Sequence, residues 1–393
     1  MSQILVLNAG SSSLKFAVYD AGGGDEPALV MSGAVSGLPD APHFTVRSVT
    51  GAILSDLDWP EGAGELSAAV LGVLDWLAGQ GGLAAPAAIG HRIVHGGLEF
   101  AAPVRLDGEA LRRLDGLIPL APLHQPFNLE AVRATRARFP DALQVGCFDT
   151  AFHADQPRLA RLYALPRPLI EAGVMAYGFH GLSYEYIAGV LRARFGPTCG
   201  GRVIVAHLGS GVSLCALAKG RSVANTMGFS ALDGPPMATR SGALDPGVLL
   251  YLMEARGLSP AELSDMLYRR SGLLGVSGES GDVRVLLASP RPEAKEALDL
   301  FVYRLAQEIG GLTAVLGGLD RIVFTAGVGE NAAEIRRQVL AACAWLGVEL
   351  DEHANAMGAD QITLPSSRVE ALVVPTDEQI VIARAARALL GRG

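Results

Sequence analysis

Two stretches of this chain gather small hydroxyl-bearing residues where a phosphate would need them. In residues 4–20, ILVLNAGSSSLKFAVYD, an apolar run at 4–7 predicts a buried strand. Asn8, Ala9 and Gly10 predict a turn, and residues 14–19 return to β-favouring types. Backbone N–H groups at such a turn converge on an anion, with the hydroxyls of Ser11, Ser12 and Ser13 and the Lys15 ammonium adding donors and charge. An ordinary Ser-rich hairpin has the same composition. The stretch is not a Walker A loop, because its glycine opens a strand rather than a helix. Residues 203–218, VIVAHLGSGVSLCALA, repeat the design, with Gly10-Ser11 matched by Gly209-Ser210, so the chain reads as internally duplicated. A third unit, IVFTAGVGEN at 322–331, runs from a strand into an amphipathic helix; its glycines admit a ligand to the backbone, and its helix N-terminus offers N–H groups.

Charged and titratable residues stand beside these turns. Arg92 lies in GHRIVHGG and Arg240 in PMATRSG, between Pro236 and Gly242. A guanidinium grips a carboxylate or phosphate with two parallel hydrogen bonds and keeps its charge, although a solvated or ion-paired arginine is the commoner case. His180, between glycines in YGFHG, can reach a ligand or serve as a structural hydrogen-bonder. His91 and His95, four apart in an expected strand, would project from one face about 13 Å apart, too far for one metal. Asp149 follows an apolar run and suits acid–base, metal or orienting duty, or a turn cap. Glu378 falls in the first turn of the last helix, where an acid also serves the helix dipole.

Taken in order, NAGSSSLK, GHRIVHGG, CFDTAFH, YGFHGLSYEYI, AHLGSG, PMATRSGALDPG, FTAGVGEN and TDEQIVIAR resemble the acetate kinases over essentially the whole chain. The resemblance implies an α/β, duplicated two-domain actin-like ATPase (ribonuclease H-like) fold, shared with sugar kinases and Hsp70-type ATPases, with an interdomain active-site cleft. It implies reversible transfer of the ATP γ-phosphoryl group to acetate, a homodimer and a Mg²⁺ ion, with Mn²⁺ as a substitute. By resemblance Arg92 holds the substrate carboxylate beside a small apolar pocket of Val94, Leu123 and Phe179. Arg240 and His180 stabilise the transferring phosphoryl group. Asp149 is implied to be catalytic; a substrate carboxylate of pKa about 4 to 5 is already ionised, so orienting Arg92 or a metal-bound water suits it better than proton transfer. Asn8 and Glu378 match metal positions, and Ser11 and Ser13 the phosphate hairpin. ATP and ADP contacts fall to Lys15, to His207, Leu208, Gly209, Ser210 and Gly211, to Asp282, Val283 and Arg284, and to Gly327, Val328, Gly329, Glu330 and Asn331.

The chain departs from the family pattern at Ala238, where glycine is usual, at Ser210 and Gln125, where asparagine is usual, and at Ala231, where proline is usual. The segment 242–246 also reads GALDP instead of GDIDP. None of these removes a charged group from the implied mechanism. A propionate or butyrate kinase of the same family is the near alternative. A non-acyl actin-fold ATPase, which would need neither arginine for an acyl substrate, and a sugar kinase, which the apolar walls around Val94, Leu123 and Phe179 do not suit, are more distant ones.

The elements that must position these residues follow from periodicity. A helix is expected over 65–78, a strand over 87–94 and a long helix over 293–316, and capping boxes at Asn331/Glu334 and Thr376/Gln379 predict the starts of the last two helices. Breakers and arginines at 159–168 suggest a linker. Domains of 1–150 and 151–375 are therefore expected, with a C-terminal helix at about 376–393 crossing back onto the first. With 393 residues, half of them hydrophobic, the chain can build two cores. A net charge of −8 without a basic block argues against nucleic acid, and four cysteines without C-x-x-C spacing read as reduced thiols. The start of the chain lacks the pattern of a signal peptide and no apolar run reaches membrane-spanning length, so the expectation is the cytosol and no membrane partner.

Overall fold

The computed structural model describes residues 2–10, 13–22, 24, 26–38, 40–59, 65–79 and 85–391. Ser11 and Ser12, two hydroxyls of the first hairpin, lie outside the described residues. The chain divides into two compact units, Met1–Phe152 with Asp377–Gly393, and His153–Thr376.

The first unit is built on strands β1 (Gln3–Ala9), β2 (Ser13–Asp20), β3 (Ala28–Ser36), β4 (His43–Ser48), β5 (Ile53–Asp58), β6 (Ala88–Ile93), β7 (Val104–Arg105) and β8 (Leu143–Phe148), in the order β5-β4-β3-β2-β1-β6-β8-β7. Alternation decides its faces. Leu14, Phe16 and Val18 enter one core with Phe44, Val46 and the helix Leu66–Gly79. Gly33 sits against Phe16, where an added Cβ would come within 2.5 Å of the ring. The opposite face carries Asn8 directly across from Lys15. On β6 the same rule sends His91 toward Gln144 and Thr135 of the helix Gln125–Arg138. It sends Gly90 and Arg92 toward the last helix, Glu378–Leu390, where a Cβ on Gly90 would meet Ile382.

The second unit carries β9 (Arg202–Leu208), β10 (Val212–Ala218), β11 (Arg221–Asn225), β12 (Arg321–Thr325) and β13 (Glu370–Val373), in the order β11-β10-β9-β12-β13. Its first strand pairs antiparallel with β10, which pairs antiparallel with β11, and on the other side pairs parallel with β12, which pairs parallel with β13. β1 is flanked in the same way, by β2 and β3 and by β6 and β8. The duplication read from two Gly-Ser turns is thus a repeat of topology.

Four local expectations are corrected. The stretch after β12 is no open glycine-rich turn, because residues 326–331 form the short helix Ala326–Asn331. Asn331 does not cap the following helix, Ala333–Ala342; its amide donates to the Gly327 carbonyl, while Glu334 pairs with Arg337. Thr376 does not cap the last helix either. Asp377 does, accepting from the Ile380 N–H, since a carboxylate one residue later satisfies that donor and suits the dipole better than a hydroxyl. The segment 159–168 lies within the second unit and includes the short helix Arg158–Arg161 and the start of Arg167–Glu171.

Two buried amides on the helix Gln125–Arg138 tie the strand ends together. Asn128 donates to the Ala9 carbonyl at 2.6 Å and accepts from the Val94 N–H at 2.8 Å, while Gln125 bonds both the N–H and the carbonyl of His95. Asn128→Ala should lower stability by about 1–3 kcal/mol, the cost of leaving buried backbone groups unpartnered, in equilibrium urea unfolding. An unchanged midpoint would contradict this role.

Candidate active site

In the first unit, four polar side chains meet at the ends of β1, β6 and β8. Arg92 and Cys147 are register partners in parallel strands, so Asp149, two residues beyond Cys147, emerges on the same side as Arg92. Its carboxylate takes the guanidinium in a fork: Nε lies 3.0 Å from each oxygen and Nη2 lies 2.7 Å from Oδ2. Asp149 is 1% exposed, and a carboxylate so buried depends on that pairing. The other arm of the guanidinium, Nη1, donates to Asn8 Oδ1 at 3.2 Å and lies 4.0 Å from Glu378 Oε2. Burial opposes the charge of Arg92, and Asp149 followed by Glu378 outweighs it, so its pKa rises and the cation is permanent. Asn8 and Glu378, both expected at a metal, therefore share one face of Arg92. Their two hard oxygens fit an ion such as Mg²⁺, which binds few protein oxygens and keeps most of its water. Lys15 lines a cavity of the same unit with Ser32, Thr45, Arg47 and Gln379. Val94 is buried and Leu123 half-buried.

His91 and His95 are not two members of one strand: β6 ends at Ile93, and His95 lies beyond it. Burial pushes both imidazoles down to about 4, so they are neutral at ordinary pH.

In the second unit the hairpin β9–β10 places Gly209, Ser210 and Gly211 in its turn. His180 precedes the helix Gly181–Phe195 in a left-handed conformation, φ 57°, and its ring stacks on His207 with centroids 4.1 Å apart. A Cβ on Gly211 would lie 3.1 Å from His180 Nε2 and 3.8 Å from Arg240 Nη1, so the turn, the imidazole and the guanidinium border one space. Arg240 is steadied there by the carbonyl of Ala231, 3.3 Å from Nη1, and its loop is tied to the turn by Ala238 N–H donating to the Ser210 carbonyl. Two donor-bearing side chains facing one space make an arrangement for an anion.

Phe179 is buried, and its carbonyl accepts from His153 Nε2 at 3.0 Å. Burial pushes the His153 imidazole down to about 4. Gly178 passes so close that a Cβ would lie 2.7 Å from that ring. His207 Nδ1 bonds Ser183, which in turn bonds Thr376. Glu330 Oε1 accepts from the N–H groups of both Ala326 and Thr376, which closes the first turn of Ala326–Asn331. Asp282 caps its own helix and pairs with the exposed Arg284, and Val283 is buried. The residues expected at the nucleotide thus lie in the second unit except for Lys15, which belongs to the first.

The description "Acetokinase family" fits residues 3–384 of this chain. The chain belongs to the acetokinase family. An acetate kinase of Rhodopseudomonas palustris (strain TIE-1) is 51% identical over 97% of this chain and 96% of its own length. Among solved structures, acetate kinase from Porphyromonas gingivalis is 36% identical, with a TM-score of 0.87 over 99% of this chain and all of the other. A propionate kinase from Francisella tularensis subsp. tularensis SCHU S4 is 33% identical, with a TM-score of 0.90 over 99% of this chain and all of the other. The expected acetokinase fold, duplicated and α/β, is therefore present.

Sequence reasoning missed the supporting residues within each unit: Gln125 and Asn128 in the first, and His153, Ser183, Ser213 and Thr376 in the second. His153, Ser183 and Thr376 stood in motifs that carried the resemblance, and that was the available signal. The three neutral histidines His91, His95 and His153 set a pH dependence. The unfolded chain takes up their protons near pH 6.5 and the folded chain near pH 4, so their stabilisation is complete above about 6.5 and falls as pH drops toward 4. Asp233 and Glu308, raised by burial, act in the opposite sense. Proton NMR titration should show these three imidazoles still neutral at pH 5 in the folded protein. Titration of all three near 6.5 would contradict their burial.

Proposed function

We propose that the chain transfers the γ-phosphoryl group of ATP to acetate, reversibly, giving acetyl phosphate and ADP by direct in-line displacement. The observation that carries this reading is the guanidinium of Arg92, oriented by a buried carboxylate, in a chain 51% identical to a protein named acetate kinase. Arg92 holds the carboxylate through its remaining donor edge, with Val94, Leu123 and Phe179 about the methyl group. An acetate oxygen forms the new bond to phosphorus as the bond to the ADP oxygen breaks, and no proton need leave the nucleophile. Asp149 has both oxygens engaged on Arg92, and this supports orientation rather than base catalysis. Arg240 and His180 donate to the transferring group, where charge builds in the transition state. Asn8 and Glu378 hold Mg²⁺, or Mn²⁺ in its place, which neutralises phosphate charge when bound. Lys15, the Gly209–Gly211 turn with His207 and Leu208, Asp282 to Arg284 and Gly327 to Asn331 contact the nucleotide, and Ser11 and Ser13 belong to the phosphate hairpin.

The protein works as a cytosolic homodimer in this reading. Four buried cysteines, none in C-x-x-C spacing, suit a reducing compartment. Among the described residues no helix is long and apolar enough to cross a membrane. The apolar helix Pro246–Glu254 has no buried residue, with Leu250 and Tyr251 53% and 55% exposed, and a second copy would cover it.

A propionate kinase is the second reading, favoured by the likeness to the Francisella structure and by Ala231 in place of proline. One methylene is worth about 0.8 kcal/mol, or roughly fourfold. Acetate should therefore remain the best substrate, propionate follow within about tenfold in kcat/KM, and butyrate be poor. Butyrate equal to acetate would move the assignment to a longer acyl chain. Arg240→Ala should lower kcat about a hundredfold or more in a coupled ADP-release assay; near-parental turnover would remove it from the mechanism. Glu378→Ala should raise the Mg²⁺ requirement with little change in Tm. A large fall in Tm with normal metal dependence would assign Glu378 to the helix instead.

A further inference from the structure

The motifs YGFHGLSYEYI and AHLGSGVS contain two hydroxyls that the proposed reaction does not use, Tyr184 and Ser213. Both are fully buried, and they stand in line behind His180. Ser213 Oγ lies 2.8 Å from His180 Nδ1, and Tyr184 Oη lies 2.5 Å from Ser213 Oγ. Behind them the side chain of Asn225 bonds the Tyr184 phenol.

The far end of this chain of hydrogen bonds suits one direction. The backbone N–H of Met227 donates to Asn225 Oδ1 at 2.7 Å, and a backbone amide can only donate. That fixes the Asn225 amide with its NH2 group outward, which agrees with its donation to the Phe179 carbonyl at 3.4 Å. With that group turned to Tyr184, the phenol oxygen can accept from Asn225 and give its proton to Ser213 Oγ, 2.5 Å away. Ser213 can then donate to His180 Nδ1, 2.8 Å away.

We propose that Asn225, Tyr184 and Ser213 are positioning residues that hold neutral His180 in the Nε2–H tautomer. The proton then sits on the nitrogen that faces Gly211 and the Arg240 guanidinium, where it can be donated to an anion. With the opposite tautomer, Nε2 would present a lone pair to the same space and repel a phosphoryl oxygen. Stacking on His207 holds the ring plane, and the hydroxyl line sets which edge carries the proton. Burial raises the Tyr184 pKa well above its ordinary value, so the phenol stays a donor across the working range.

The inference rests on the reading of His180 as a donor to the phosphoryl group, and its test is separable from that reading. In histidine-¹⁵N-labelled full-length protein, with the His180 signal identified by its loss in His180→Gln, imidazole ¹⁵N shifts should report a protonated Nε2 and an unprotonated Nδ1. Ser213→Ala and Tyr184→Phe should each shift the signal toward a mixture of tautomers. They should lower kcat about tenfold, less than the hundredfold scale of losing a charged-site donor outright, with KM for ATP and acetate nearly unchanged. A protonated Nδ1 in the parent protein, or an unaltered tautomer in Tyr184→Phe, would overturn the proposal even if Ser213→Ala failed to fold. If His180→Gln kept parental turnover while the tautomer was as stated, the donor role of His180 would fail and the hydroxyl line would stand.

Discussion

The fork between Arg92 and Asp149 is the interaction on which the first unit's arrangement rests. A carboxylate 1% exposed is costly to bury alone, and the Arg92 cation offsets that cost. The pair forms only if β6 and β8 keep their parallel register, because the two residues come from strands 57 positions apart in the chain. That register in turn depends on the helix Gln125–Arg138, whose buried amides fasten the ends of β1 and the segment after β6. The last helix brings Glu378 to the remaining side of the guanidinium. Sequence thus reaches the site through strand pairing first and side-chain chemistry second.

The same strand order serves different chemistry in the second unit. Where the first unit places a clamped arginine, the second places a glycine turn, a stacked pair of imidazoles and an arginine on a loop. In both, polar side chains collect where strands end and loops begin, since inside the sheets each face is committed to packing. The glycines at 178 and 211 mark close approaches of backbone to the His153 and His180 rings, a steric demand that explains them without reference to ligand binding.

Much of this was legible in the sequence, for a physical reason. Strand positions such as Leu14, Phe16 and Val18 show period-two alternation, which any strongly one-sided strand must show. Arg92, Asp149, His180 and Arg240 stood out as polar residues among apolar or glycine neighbours. The helix starts were misjudged because adjacent Thr376 and Asp377 compete for one cap, and because Asn331 turns back to Gly327. The supporting residues were illegible. Ser183 and Thr376 meet across 193 positions, and Asn128 and Ala9 across 119, so no local pattern could announce them. Ser213 looked like any small residue in a strand.

The central claim is that Asp149 serves the reaction by orienting Arg92. A double-mutant cycle on kcat/KM for acetate tests it most directly, using Asp149→Asn, Arg92→Ala and the combination. If orientation is the whole role, Asp149→Asn costs activity in the parent and almost nothing once Arg92 is alanine. Losses that simply multiply in the double variant would contradict the account and give Asp149 a part in the chemistry of its own.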